Sequence, residues 1–144
     1  MGEASGGDVK LYVLDANAVM RFLQKAPGFE KVSDLFRKQA ASEVKLLISV
    51  VNRGEVLYGL ARRVGIEQAR SAMAILAGFV EAIEIQQEDA DAAAVLKWRY
   101  KLGFADCFAA ELAIRQGATL VTADPDFAIL GGKLKILALP RHQG

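Results

Sequence analysis

Short runs of consecutive apolar residues, each separated from the next by helical periodicity, constrain the fold of this 144-residue chain more than any other feature. They read KLYVL at Lys10 to Leu14, KLLIS at Lys45 to Ser49, TLVT at Thr119 to Thr122 and KILAL at Lys135 to Leu139. Unbroken apolar runs of this length suit strands buried on both faces. A further short strand is expected at Ala82 to Ile85. Helices are expected at Ala18 to Leu23, Glu30 to Ala41, Val50 to Val64, Ile66 to Phe79, Gln87 to Leu102 and Ala105 to Gln116, with a helical turn after Pro125. Strands alternating with helices predict an α/β domain: a central, mostly parallel sheet of about five strands flanked by helices.

The chain carries enough apolar material to build that core. Hydrophobic residues make up 53% and charged residues 24%, which excludes a disordered chain. With 18 basic and 17 acidic residues the net charge is +1, so any hold on a polyanion must come from a local patch. The longest apolar stretch, Leu46 to Val51, is too short to span a bilayer, and Met1 to Asp8 lacks the apolar region of a signal peptide. A single cysteine excludes an internal disulfide framework. A soluble, cytoplasmic protein without membrane contact is expected. It divides into a flexible end at 1–9, one domain at 10–140 and a tail at 141–144 that contains His142.

In a parallel α/β sheet the working site lies beyond the carboxyl ends of the strands. Asp15 closes the first run and Asp124 follows the run at Thr119 to Thr122. Glu55 lies in the first two turns of the helix after the second strand, and Asp106 in the first turn of the helix opened by Gly103. All four can reach one pocket. Each has a structural reading as well: a helix cap for Asp15 and Asp124, a dipole-favoured first-turn acid for Asp106, a solvated position for Glu55. Four acids from four segments at one edge are harder to assign to four separate structural roles. Clustered carboxylates repel one another, and a divalent cation removes that cost. Oxygen ligands suit Mg²⁺ or Mn²⁺, whereas no His/Cys cluster supplies a zinc site. Such a site suits phosphodiester hydrolysis by an activated water.

Four segments in order, Leu14-Asp15-Ala16-Asn17, Ser49 to Val56, Gly103 to Ala110 and Thr122 to Phe127, resemble the PIN-domain family, and within it the VapC-like toxins of toxin–antitoxin pairs. The resemblance runs from about Lys10 to Leu139. It implies a Mg²⁺- or Mn²⁺-dependent endoribonuclease with Asp15, Glu55, Asp106 and Asp124 as the acidic metal site. Asp126 would assist or replace Asp124, and Asn17 and Thr122 would be supporting polar residues. It further implies an RNA substrate cut to a 5′-phosphate and a 3′-hydroxyl, a homodimer, and a cognate VapB-like antitoxin. Many relatives carry Thr or Ser where this chain has Ala16. Alternatives are a housekeeping PIN nuclease for RNA processing or DNA, and a catalytically silent binding module on the same fold. A phosphatase-like or receiver-like domain with a nucleophilic Asp15 fits less well, because Asn17 stands where a phosphatase wants a second Asp.

Other features have bounded readings. Arg53, two residues from Glu55, is the best-placed basic residue for an RNA phosphate, ahead of Arg62 and Arg63 or Lys97, Arg99 and Lys101. Cys107 reads as a small buried hydrophobe rather than a nucleophile. Trp98 shares a stripe with Val95 and Leu102 and is expected in the core. Phe22, Phe29, Leu35 and Phe36 form an apolar face that serves either the core or an antitoxin helix.

Overall fold

A computed structural model describes residues 9–141; most of the expected N-terminal end, and His142, lie outside the described residues. The strands are β1 (Lys10–Leu14), β2 (Val44–Ser49), β3 (Val80–Ile83), β4 (Thr119–Thr122) and β5 (Lys135–Ala138). The helices are α1 (Ala16–Leu23), α2 (Phe29–Ala40), α3 (Val50–Val64), α4 (Ile66–Leu76), α5 (Gln87–Arg99) and α6 (Phe104–Gln116), and a 3₁₀ segment follows at Pro125–Lys133. The five strands form one parallel sheet in the order β3-β2-β1-β4-β5. That is not the 2-1-3-4-5 order of receiver-like domains.

The apolar runs fill both layers. Leu14, Leu46, Ile48 and Val121 point into a core shared with α1 to α4. Val13, Leu47 and Leu120, their immediate neighbours, point into a core shared with α5, α6 and the 3₁₀ segment. Successive strand residues face opposite sides, so a central strand covered on both faces must be apolar throughout. Gly28 opens α2 at φ +93° against the end of the chain, where an added Cβ would stand 3.0 Å from Leu139 Cβ. Only glycine meets both demands.

Several boundaries, most by a residue or two, and one burial differ from expectation. The fourth helix stops at Leu76, not Phe79, because Gly78 and Phe79 turn back to the carbonyls of Ile75 and Leu76; β3 therefore starts at Val80, two residues early. α5 ends at Arg99: Tyr100 is extended, and Lys97 Nζ donates to the Leu102 carbonyl at 2.7 Å. Trp98 is not in the core. It is 80% exposed, and Val95 beside it is also exposed. The buried side of α5 runs instead through Asp89, Ala93 and Leu96. Alanines on several sides of this helix leave its apolar stripe poorly defined, and small residues allow close packing on α6.

Candidate active site

The strand order reverses between β1 and β4: β2 and β3 extend to one side, β5 to the other. A crevice opens at the carboxyl end of such a switch point. Here a cavity of about 390 Å³ is lined by Asp15, Glu55, Asp106, Asp124 and Asp126. Asn17 lines it too, with Arg21 and Arg141.

Asp15 follows β1 and caps α1, its Oδ1 accepting from Ala18 N at 2.8 Å. Its Oδ2 accepts from Thr122 Oγ1 at 2.5 Å. The same Thr122 oxygen accepts from Asp124 N at 3.0 Å, and Asp124 Oδ1 accepts from Asp126 N at 2.9 Å while capping the 3₁₀ segment. Thr122, itself buried, therefore links the first carboxylate to the loop that carries two more. The capping roles and the site positions coincide in the same residues.

Glu55 and Asp106 come from the other side. Ser49 ends β2 and caps α3, which sets Glu55 over the crevice. Asn52, one turn earlier and buried, donates to Glu55 Oε1 at 2.8 Å and to the Ala105 carbonyl at 3.2 Å. It fixes α3 to the first turn of α6, beside Asp106. Asn52 lies in a segment read for Glu55 and Arg53, and its i, i+3 spacing to Glu55 was the available signal. Gly103 leaves space for Asp106, since a Cβ there would approach its Oδ2 to 3.4 Å.

The electrostatics are unbalanced. Asp15 is only 3% exposed. Burial above all, with smaller repulsion from Asp106 and Asp124, pushes its pKa up to about 6 against the pull of the Thr122 and Ala18 hydrogen bonds. Asp106 also rises to about 6, first through burial, then through Asp124, Glu55 and Asp126. No lysine or arginine among the described residues forms an ion pair with these acids. Arg21 lines the cleft but directs Nε to Asn17 Oδ1 at 2.9 Å, and a terminal nitrogen to the carbonyls of Pro27 and Pro140 at 2.9 and 2.8 Å. Asn17 is thus held by Arg21 rather than by a carboxylate.

Among the described residues no three His, Cys, Asp or Glu side chains stand close enough to form a ready-made metal cage. The donor set nevertheless fits a hard divalent cation. It is all carboxylate oxygen, gathered in one open cleft, and held there against a cost that a cation would relieve. Arg53 does not reach this cleft; it lines a separate cavity with Gln39, Lys45 and Glu81. Cys107 is fully buried, and burial raises its thiol pKa, as befits a core residue. Leu35 and Phe36 are in the core, whereas Phe22 and Phe36 also form one wall of an apolar groove closed by Ile75 and Phe79.

Comparison with known proteins agrees with this architecture. Solved structures with the same fold include VapBC2 from Rickettsia felis bound to a promoter DNA fragment, at 22% identity and TM-score 0.71, covering 90% of this chain and 98% of that one. DNA-bound VapBC from Salmonella typhimurium matches at 18% identity and TM-score 0.70, with the same coverage of 90% and 98%. VapC20 from Mycobacterium tuberculosis, described as a sarcin–ricin loop cleaving toxin, matches at 19% identity and TM-score 0.67, covering 83% and 95%. No curated protein matches the sequence. The PIN-domain family model matches residues 12–133, from the first strand to the end of the 3₁₀ segment and across every acid of the cleft, and the chain belongs to the PIN-domain family.

Proposed function

We propose that this protein is a Mg²⁺- or Mn²⁺-dependent endoribonuclease and the toxin of a VapBC-type toxin–antitoxin pair. The observation that carries the reading is the convergence of Asp15, Glu55, Asp106 and Asp124 from four segments onto one cleft at the switch point. A silent binding module has no physical need to hold uncompensated carboxylates together. Solved structures with this fold include several toxin–antitoxin assemblies, which supports a VapB-like partner; a homodimer is part of the same proposal. The apolar groove between α2 and α4 suits an amphipathic helix from such a partner.

In this reading Asp15, Asp106 and Asp124 hold the cation, with Glu55 and Asp126 at its margin. A cation bound there supplies Lewis acidity and lowers the pKa of an attacking water. Thr122 keeps Asp15 and the Asp124 loop in register, and Asn52 does the same for Glu55 and α6. Both carboxylates with raised pKa must give up their protons to bind a cation, so cation affinity, and activity at limiting cation, rises with pH.

The test is cleavage of a mixed pool of cellular RNA by the purified protein with Mg²⁺, with Mn²⁺ and with EDTA, beside Asp15→Asn and Asp106→Asn. Metal-dependent cutting that falls by about three orders of magnitude in either variant, about 4 kcal/mol of barrier, is expected. Products should carry 5′-phosphates and 3′-hydroxyls. Wild-type rates in both variants would sink the assigned site.

A further inference from the structure

The acidic cleft does not end at Glu55. A second cavity, of about 510 Å³, shares Ala16, Asn17 and Glu55 with it and continues along α1 and α3. Its far wall is chemically opposite to the cleft, formed by Tyr58, Arg62 and Arg63. Glu55, Tyr58, Gly59 and Arg62 fall on one stripe of α3 by their i, i+3, i+4 and i+7 spacing. Arg62 lies about 10 Å along the helix axis from Glu55. Tyr58 is 58% exposed, and the Arg62 guanidinium lies 5.9 Å from its ring centroid. Gly59 has no side chain to fill the cavity, and Met20 forms its floor.

Cations in the last turn of a helix are favoured by the helix dipole alone. The dipole does not require an exposed tyrosine beneath the guanidinium, nor a continuous path to the acids. An aromatic face beside two guanidiniums matches the chemistry of single-stranded nucleic acid, with a base to stack and a phosphate to hold. We propose that this cavity is a nucleotide subsite for single-stranded RNA, in which Tyr58 stacks a base adjoining the cut and Arg62 and Arg63 hold its phosphate. The proposal rests on the nuclease reading and extends it, by assigning the substrate strand a direction out of the cleft along α3. Arg53, on a different cavity, has no part in it.

The experiment measures binding of a fluorescent, mixed-sequence single-stranded RNA of about a dozen nucleotides to the full chain in EDTA, and steady-state cleavage with Mn²⁺. Tyr58→Ala and the double variant Arg62→Ala/Arg63→Ala should each weaken binding about tenfold and raise KM more than they lower kcat. Tyr58→Phe should bind as wild type. Gly59→Leu, whose side chain would occupy the cavity against Met20, should behave like Tyr58→Ala. The double arginine variant should also flatten the dependence of log K on log salt by about 0.7, the value for one phosphate. Arg70→Ala, a single charge loss on α4 away from the cavity, should change none of these. Unchanged RNA affinity in Tyr58→Ala and the double variant overturns the subsite, as does equal damage from Arg70→Ala. Unchanged affinity with an altered sedimentation coefficient would instead make this face a protein contact, and also overturns it. Wild-type protein that binds the RNA but cuts nothing with either cation refutes the nuclease reading, and leaves the binding comparison to judge the subsite.

Discussion

Two groups of carboxylates sit within this domain, and they are treated in opposite ways. At the far end of the α5–α6 pair, Asp89 and Glu111 are buried and share Arg115, whose Nε lies 3.3 and 2.7 Å from them. The Glu111 hydrogen bond raises the Arg115 pKa, so the cation is locked in its charged form. Asp89 also closes a capping box with Gln86 at the start of α5. At the switch point five acids face one cavity, and Arg21, one of two arginines lining it, directs donors to an amide and two carbonyls. One group is balanced and holds two helices together. The other is left unbalanced, and a fold bears such a cost where something else binds. Residue type is the same in both; the partner decides which is structural.

Removing the partner from the balanced group should give the largest change in stability. Arg115→Met leaves two acids buried without a cation and should cost about 3 kcal/mol, read from urea unfolding at pH 7. Adding Glu111→Gln to that variant should restore part of the loss. A loss below about 0.5 kcal/mol would mean that the three residues are solvated and contribute only as a surface pair.

The unbalanced group should respond in the opposite sense. Asp15 keeps its proton up to about pH 6 in the folded chain and releases it near 3.8 when unfolded. The folded state therefore binds more protons between pH 4 and 6. Its contribution to metal-free stability is fully present below about pH 4 and is lost as pH rises through 6. The difference between wild type and Asp15→Asn isolates this group from the other carboxylates. In EDTA at pH 7 the variant should be the more stable by about 2–3 kcal/mol, with the gap closing below pH 4. A gap independent of pH would show that Asp15 is charged throughout and already compensated.

A smaller effect falls on the link between β1 and β4. Thr122→Val keeps the shape but withdraws the donor to Asp15 Oδ2 and the acceptor for Asp124 N. Activity should fall about tenfold, with Thr122→Ser close to wild type. Equal rates in all three proteins would reduce Thr122 to a packing residue.

The sheet and the acids were legible because both leave one-dimensional marks. A strand buried on two faces needs an apolar run, and an acid at its end follows within a residue or two, as Leu14-Asp15 and Thr122-Ala123-Asp124 do. What was not legible needs a second segment to acquire meaning. Trp98 lay on a plausible stripe, yet α5 packs through its alanines and exposes the indole. Arg53 was close to Glu55 in sequence but faces another cavity, since two residues on a helix differ by about 200° in direction. Asn52 and Arg21 act through Ala105, Pro27 and Pro140, contacts that no local pattern announces.

The way Arg21 is occupied has a kinetic consequence. Because Arg21 turns its donors to Asn17 and two carbonyls, it and Arg141 leave the five acids in excess, and the mouth of the cation-free cleft repels a polyanion, whereas the Tyr58–Arg62 end attracts one. Added salt screens both fields, so its effect on the association rate has a sign that depends on the point of entry. Encounter through the basic end slows as salt rises, and encounter through the acidic mouth quickens. The order in which a strand meets the two halves of the groove is thus written in the ionic-strength dependence of a single rate constant.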